Sequence, residues 1–146
     1  MKFTRTATIQ ATPEKIWDSL TIFTEAQKWS NCLLENEKIS NGEICKGFKS
    51  KSLIQEGKNK IWYEEEILDY TPHLKLKLKL AGKNLGKNPM YSAYYLEKTN
   101  QGTELKQTIE WQPGGIVLKL LHKMITKMSI KNIEKELHDL KEYVEK

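Results

Sequence analysis

Three consecutive carboxylates, Glu64, Glu65 and Glu66, form the cluster best suited to chemistry in this sequence. Successive side chains of an extended strand alternate faces, so at least one of the three must point inward. The inward residue is Glu65 if Tyr63 and Ile67 face in, or Glu64 and Glu66 if Trp62 and Leu68 do. A carboxyl among apolar neighbours has a raised pKa and can serve as a general acid or base, or hold a ligand hydroxyl. The competing reading is a glutamate near a sheet edge that reaches water or pairs with a lysine. Tyr94 and Gln107 offer a hydroxyl and an amide that can orient a ligand in an apolar pocket, or satisfy a buried backbone group. His122 would titrate near neutral pH if it faced a cavity, the alternative being a place on a helix surface. Glu65, Tyr94 and His122 are therefore the catalytic candidates.

Standard catalytic machinery is missing. The sequence has no G-x-S-x-G, H-E-x-x-H, G-x-x-x-x-G-K-[ST] or G-x-G-x-x-G. Of the three histidines, His73 lies in a turn segment, and His122 and His138 are sixteen residues apart on a helical stretch, too far to share an ion. Cys32 and Cys45 lack C-x-x-C spacing and a nearby histidine, so free, partly buried thiols are expected and no metal or cofactor.

The elements that must position these groups are legible from periodicity. Residues 2–10 alternate in part and are rich in threonine, as in a strand with one buried face. Thr12-Pro13-Glu14 then combines an N-cap hydroxyl, a proline at the first helical position and an acid at the positive end of the dipole. A short helix to about Leu20 follows. Thr24 to Gln27 has the capping-box pattern, which predicts a second short helix carrying Trp29. From Leu33 to Trp111 short alternating segments are broken by turn signals at Asn41-Gly42, Glu56 to Asn59, Tyr70 to His73, Gly82 to Pro89 and Asn100 to Gly102. The segment Leu74 to Leu80 alternates leucine and lysine without exception, one face for the core and one for water.

After Pro113-Gly114-Gly115, residues 116–146 read as one long amphipathic helix. Its apolar residues fall into two sets. Val117, Leu121, Met124, Ile125 and Met128 cluster on one side, and Ile130, Ile133, Leu137, Leu140 and Val144 on nearly the opposite side. This predicts a kink or unwound turn near Ser129, or two helical segments with different partners, the later half packed on the sheet. The whole pattern is α+β: a curved antiparallel sheet of about seven strands, two short helices after the first strand, and a long C-terminal helix across the concave face.

If a cavity lies between sheet and helix, its ligand-binding wall would be made by the inward sets of the strands and the facing helix residues. The strands contribute Leu76 and Leu78, Tyr94 and Leu96, and Leu105, Gln107 and Ile109. Phe23, Trp29 and Phe48 come from the short helices and an early strand, and Met124 and Met128 would face them from the long helix. Ordinary core packing is the alternative for each.

Composition narrows the function classes. At 146 residues the chain has room for a single domain, 1–146. No apolar run approaches the roughly 20 residues of a transmembrane helix, and no secretory signal opens the sequence, so a cytoplasmic location is expected. The formal net charge is +5, yet Arg5 is the only arginine. Without the planar guanidinium fork a specific nucleic-acid function is not expected.

Several local patterns carry a resemblance that spans the chain. Ala11-Thr12-Pro13-Glu14-Lys15-Ile16-Trp17 resembles the I-x-A-[PS]-x-x-x-V-[FW] opening of the START-like (SRPBCC, Bet v 1-like) superfamily, polyketide cyclase/dehydrase and lipid transport type. Trp29 matches a tryptophan common in its second short helix. Glu66 to Pro72 is similar to its E-V-x-E-x-x-P strand and turn, and Tyr94 to Glu97 with Gly102 to Leu105 to its Y-x-L … G-T-x-L hairpin. The resemblance implies a helix-grip fold with a cavity between sheet and helix. It also implies binding of a small hydrophobic molecule such as a lipid, isoprenoid or aromatic, polyketide-like compound, in transport or sensing. Relatives further imply two alternatives: an interaction module of the Hsp90-activator-like or ribosome-associated type with a weak protein partner or a dimer, and a cyclase/dehydrase enzyme using an inward carboxylate.

Overall fold

The alternating segments become seven antiparallel strands, seen in a computed structural model that describes residues 1–146. In chain order these are β1 (Lys2–Ile9), β2 (Leu33–Lys38), β3 (Lys49–Glu56), β4 (Asn59–Thr71), β5 (Lys75–Gly82), β6 (Met90–Thr99) and β7 (Gly102–Trp111). They form one sheet in the order β1-β7-β6-β5-β4-β3-β2. Every neighbouring pair from β2 to β7 is consecutive in sequence, and only β1 joins from afar. The helix-grip architecture expected from sequence is present, with helices α1 (Pro13–Thr21) and α2 (Phe23–Trp29) after β1 and α3 (Ile116–Leu120) and α4 (His122–Val144) at the end.

Local chemistry explains the boundaries. Thr12 accepts a hydrogen bond from the Lys15 N–H at 3.2 Å, with Pro13 at the start of α1. The second helix departs from its expected start: it begins at Phe23, its N-cap is Ile22, and no side chain caps it. Thr24 thus lies inside the first turn, because the Ile22 corner left by α1 already sets the entry to α2. Gly57, in the left-handed region at φ 59°, closes the tight β3–β4 turn, whereas Asn41-Gly42 sits in a ten-residue connection between β2 and β3 instead of a two-residue hairpin. A bulge after Ile67 in β4 lets Ile67 and Tyr70, three positions apart, both face the interior, where Tyr70 meets the Trp17 ring edge-on at 5.2 Å.

The main core lies between the concave face and the helices. Ile9, Ile16, Trp17, Leu96 and Leu105 pack there with Leu137, Leu140 and Val144 of α4. Burying such side chains contributes about 1.5–3 kcal/mol each. A second cluster, Tyr63, Leu85 and Trp111, lies at the other end of the sheet and receives Leu118 and Ile125. Both cysteines are free as expected, but exposed instead of partly buried.

The C-terminal segment breaks at Leu121, between α3 and α4, and not near Ser129, where α4 runs on without interruption. The reason is that Ile125, Ile133, Leu137, Leu140 and Val144 already make one continuous inward stripe. The residues Val117, Leu121, Met124 and Met128 lie off that stripe, and they are exposed. Met124 and Met128, expected to face the ligand wall, are 54% and 58% exposed.

Candidate functional site

Strand register places the polar groups before any side chain is considered, since directly opposed residues share a face. Ser50, Glu65, Leu80 and Met90 form one cross-strand row. Ile67, Leu78, Ser92 and Ile109 form the next, and Leu76, Tyr94 and Gln107 a third. All three rows are on the concave face, because Ile67, Leu76, Tyr94 and Ile109 are buried there. Of the three consecutive glutamates, Glu65 is therefore the inward one, flanked by buried Tyr63 and Ile67, while Glu64 is exposed on the convex side.

Burial raises the Glu65 pKa, and the hydroxyls of Ser52 and Ser50 on the neighbouring strand partly oppose that rise. Across from the sheet, Glu136 occupies the inward stripe of α4 three residues after Ile133. Its pKa is pushed up to about 7, first by burial, then by the negative charges of Glu65 and Asp139. Tyr94 is raised well above its usual value by burial and by the charges of Glu136 and Glu65, with the Ser92 hydroxyl opposing. Its phenol therefore stays protonated at neutral pH.

A short hydrogen-bond chain joins the sheet residues. The Gln107 side-chain amide donates to the Tyr94 hydroxyl at 3.0 Å and, at a long 3.4 Å, towards Ser92 Oγ. Gln107 Oε1 is buried and accepts no hydrogen bond. An orphaned carbonyl of this kind costs about 1–3 kcal/mol, which a donor on a bound molecule would recover. The interior thus offers two carboxyls, a phenol, an amide and serine hydroxyls on an otherwise apolar wall. These groups can accept and donate hydrogen bonds to one end of a ligand, and Glu136 can exchange a proton near neutral pH.

The other expected site residues separate into two groups. Leu76, Leu78, Leu96, Leu105 and Ile109 lie on the same concave face as Tyr94 and Gln107. Trp29 and Phe48 are buried in the main core, the Trp29 indole donating to the Ser19 carbonyl at 2.7 Å, and Phe23 meets Phe48 edge-on at 6.5 Å. Met124 and Met128 are not brought to the wall, and His122 is half-buried at the first residue of α4, separated from the carboxylate pair by more than three helical turns of sequence. Glu136 is the residue that the sequence reading missed. Its signal was its position at i+3 from Ile133 and i+7 before Tyr143 on the apolar stripe, where a charge is out of place.

Two surface grooves lie away from this cluster. One of about 390 Å³ is bordered by Lys77, Tyr91, Glu110 and Trp111, and one of about 460 Å³ by Trp17, Lys38, Tyr70 and His73. Both open to solvent, and neither contains the paired carboxylates. No helix is long and apolar enough to cross a membrane.

Among curated proteins no sequence matches this one. Solved structures match its fold. A Thermus thermophilus protein has a TM-score of 0.77 at 17% identity, with 99% of this chain and 97% of that one covered. A Staphylococcus aureus protein of unknown function gives 0.73 at 11%, covering 100% and 96%. Norcoclaurine synthase of Thalictrum flavum, solved as a point mutant with a transition-state analogue, gives 0.70 at 14%, covering 99% and 93%. The sequence pattern reaches further than these distant likenesses: the family described as polyketide cyclase / dehydrase and lipid transport matches residues 1–145, and the chain belongs to it.

Proposed function

We propose that the protein binds a small molecule with an apolar body and one polar, hydrogen-bond-donating end, held between the concave sheet and α4. The observation that carries this reading is the buried Gln107 Oε1, an acceptor without a partner beside Tyr94 and the Glu65–Glu136 pair. The apolar body would lie along Leu76, Leu78 and Ile109, and the donor end would meet the carboxyls and the amide. Family membership supports ligand binding of this general kind. Native mass spectrometry of gently purified protein, followed by organic extraction, tests it. A bound apolar compound is expected, displaced by a hydrophobic fluorescent probe. Protein that carries nothing and binds no such probe would overturn the reading.

A second reading is favoured by one observation, the Glu136 carboxyl poised near pH 7 against Glu65. In a cyclase/dehydrase-type reaction Glu136 would give or take the proton while Tyr94 stabilises developing charge on a substrate oxygen. Turnover of a polyketide-like substrate that falls at least about a hundredfold in Glu136→Gln, with binding retained, separates this reading from a carrier.

A further inference from the structure

The outer face of α3 and the start of α4 is apolar and has no partner within the chain. Val117, Leu120, Leu121, Met124 and Met128 are between 41% and 79% exposed. Charge on the same stretch has one sign. Between Glu110 and Glu134 the sequence holds no acidic residue, while Lys119, Lys123, Lys127 and Lys131 are all exposed. The loop before β6 adds to the patch: Gly86 lies against Leu118 and Gly114 against Lys87, which brings this loop, with its exposed Lys83 and Lys87, alongside the start of the C-terminal segment. Lysines next to exposed Leu and Met side chains on one helical segment match an interfacial helix, whose apolar residues enter the headgroup boundary while the ammonium groups reach anionic phosphates.

A second copy of the chain is a poor occupant, since two such faces would bring like charges together. A fluid anionic surface accepts scattered, flexible side chains without needing a shaped groove. We propose that Ile116 to Lys131, with Lys83 and Lys87, is a docking surface for an anionic lipid bilayer. The docking goes beyond the ligand reading and does not depend on it. It uses the opposite face of the C-terminal segment from Glu136 and requires no occupied interior.

Flotation of the full chain with phosphatidylcholine vesicles, with and without phosphatidylserine, tests the proposal. The protein is expected to float with phosphatidylserine vesicles at low salt, to remain behind with phosphatidylcholine alone, and to be released by raised salt. Replacing the four helix lysines together (K119Q, K123Q, K127Q, K131Q) should weaken binding about tenfold or more. The pair Leu120→Ser and Met124→Gln should weaken it while leaving the thermal midpoint unchanged, because both residues are exposed. Failure of the native protein to float with phosphatidylserine at low salt overturns the proposal, whatever the variants do. So does equal binding by native protein and variants, or a dimer that both variants abolish in the absence of any vesicle binding.

Discussion

Glu65 on the sheet and Glu136 on the helix face the same interior, and no cation stands between them: neither enters an ion pair. Burial, and after it the negative charge of Glu65, helps to hold the proton on Glu136. Two half-buried acids without a counter-ion weaken the fold, and a group that neutralised them would relieve that cost.

The pH dependence follows in sign. Glu136 releases its proton near 4.5 when unfolded and near 7 when folded. Between those values the folded state binds more protons, so its contribution is full below the lower value and is lost as pH rises through the upper one. Glu136→Gln should therefore stabilise the protein on the order of 3 kcal/mol near pH 8, with the gap closing near pH 4. Urea unfolding across that range checks it, and a pH-independent gap would contradict the assignment.

Gln107→Leu should separate stability from binding. Removing the orphaned carbonyl is expected to change stability by less than about 1 kcal/mol, while affinity for a bound ligand falls about tenfold. Tyr94→Phe instead removes the acceptor of the Gln107 amide and should cost about 1–2 kcal/mol. Thermal melts with and without a saturating ligand distinguish the two substitutions.

The helix faces make opposite predictions. Leu140, 1% exposed, should cost about 2–5 kcal/mol when truncated to Ala, whereas Met128→Ala should stay within about 0.5 kcal/mol. Chemical denaturation of the two variants is sufficient. A large loss at Met128 would mean that the outer face is packed against something.

Gly102 opens β7 at φ 125°, and an added Cβ would lie 2.2 Å from the Ile9 carbonyl. Gly102→Ala must displace the end of β1, which is backbone and cannot yield cheaply. A loss of about 3 kcal/mol or more is expected, seen as a lowered melting temperature and faster amide exchange along Lys2 to Ile9.

Most strands and their inner faces were legible because their residues alternate and the turns between them carry their own chemistry. Leu74 to Leu80 and Thr103 to Trp111 show this best. The polar cluster was only half legible. Tyr94 and Gln107 stand out as polar residues at inward positions, but the face of Glu65 depended on the register of β4, which three consecutive glutamates do not specify. Glu136 is harder still, because a glutamate among helix lysines looks like part of a solvated face. The phase slip in the last helix was real as a pattern and misleading as a kink. Apart from Ile125, which packs inward, the two apolar sets mark an outer and an inner surface of a segment that breaks only at Leu121, and periodicity alone cannot say that the outer one has no cover.

The β1–β7 seam also governs the order in which the protein can assemble. Met1 donates to the Trp111 carbonyl at 2.8 Å, and Lys2 pairs with Glu110, so β1 has no partner until β7 exists. The meander from β2 to β7 can form by successive local hairpins, but closing the far edge requires a loop of about a hundred residues. During translation the first strand must remain unpaired yet soluble. Its outward Lys2, Thr4, Thr6 and Thr8, which look like mere surface in the finished fold, keep it so while it waits.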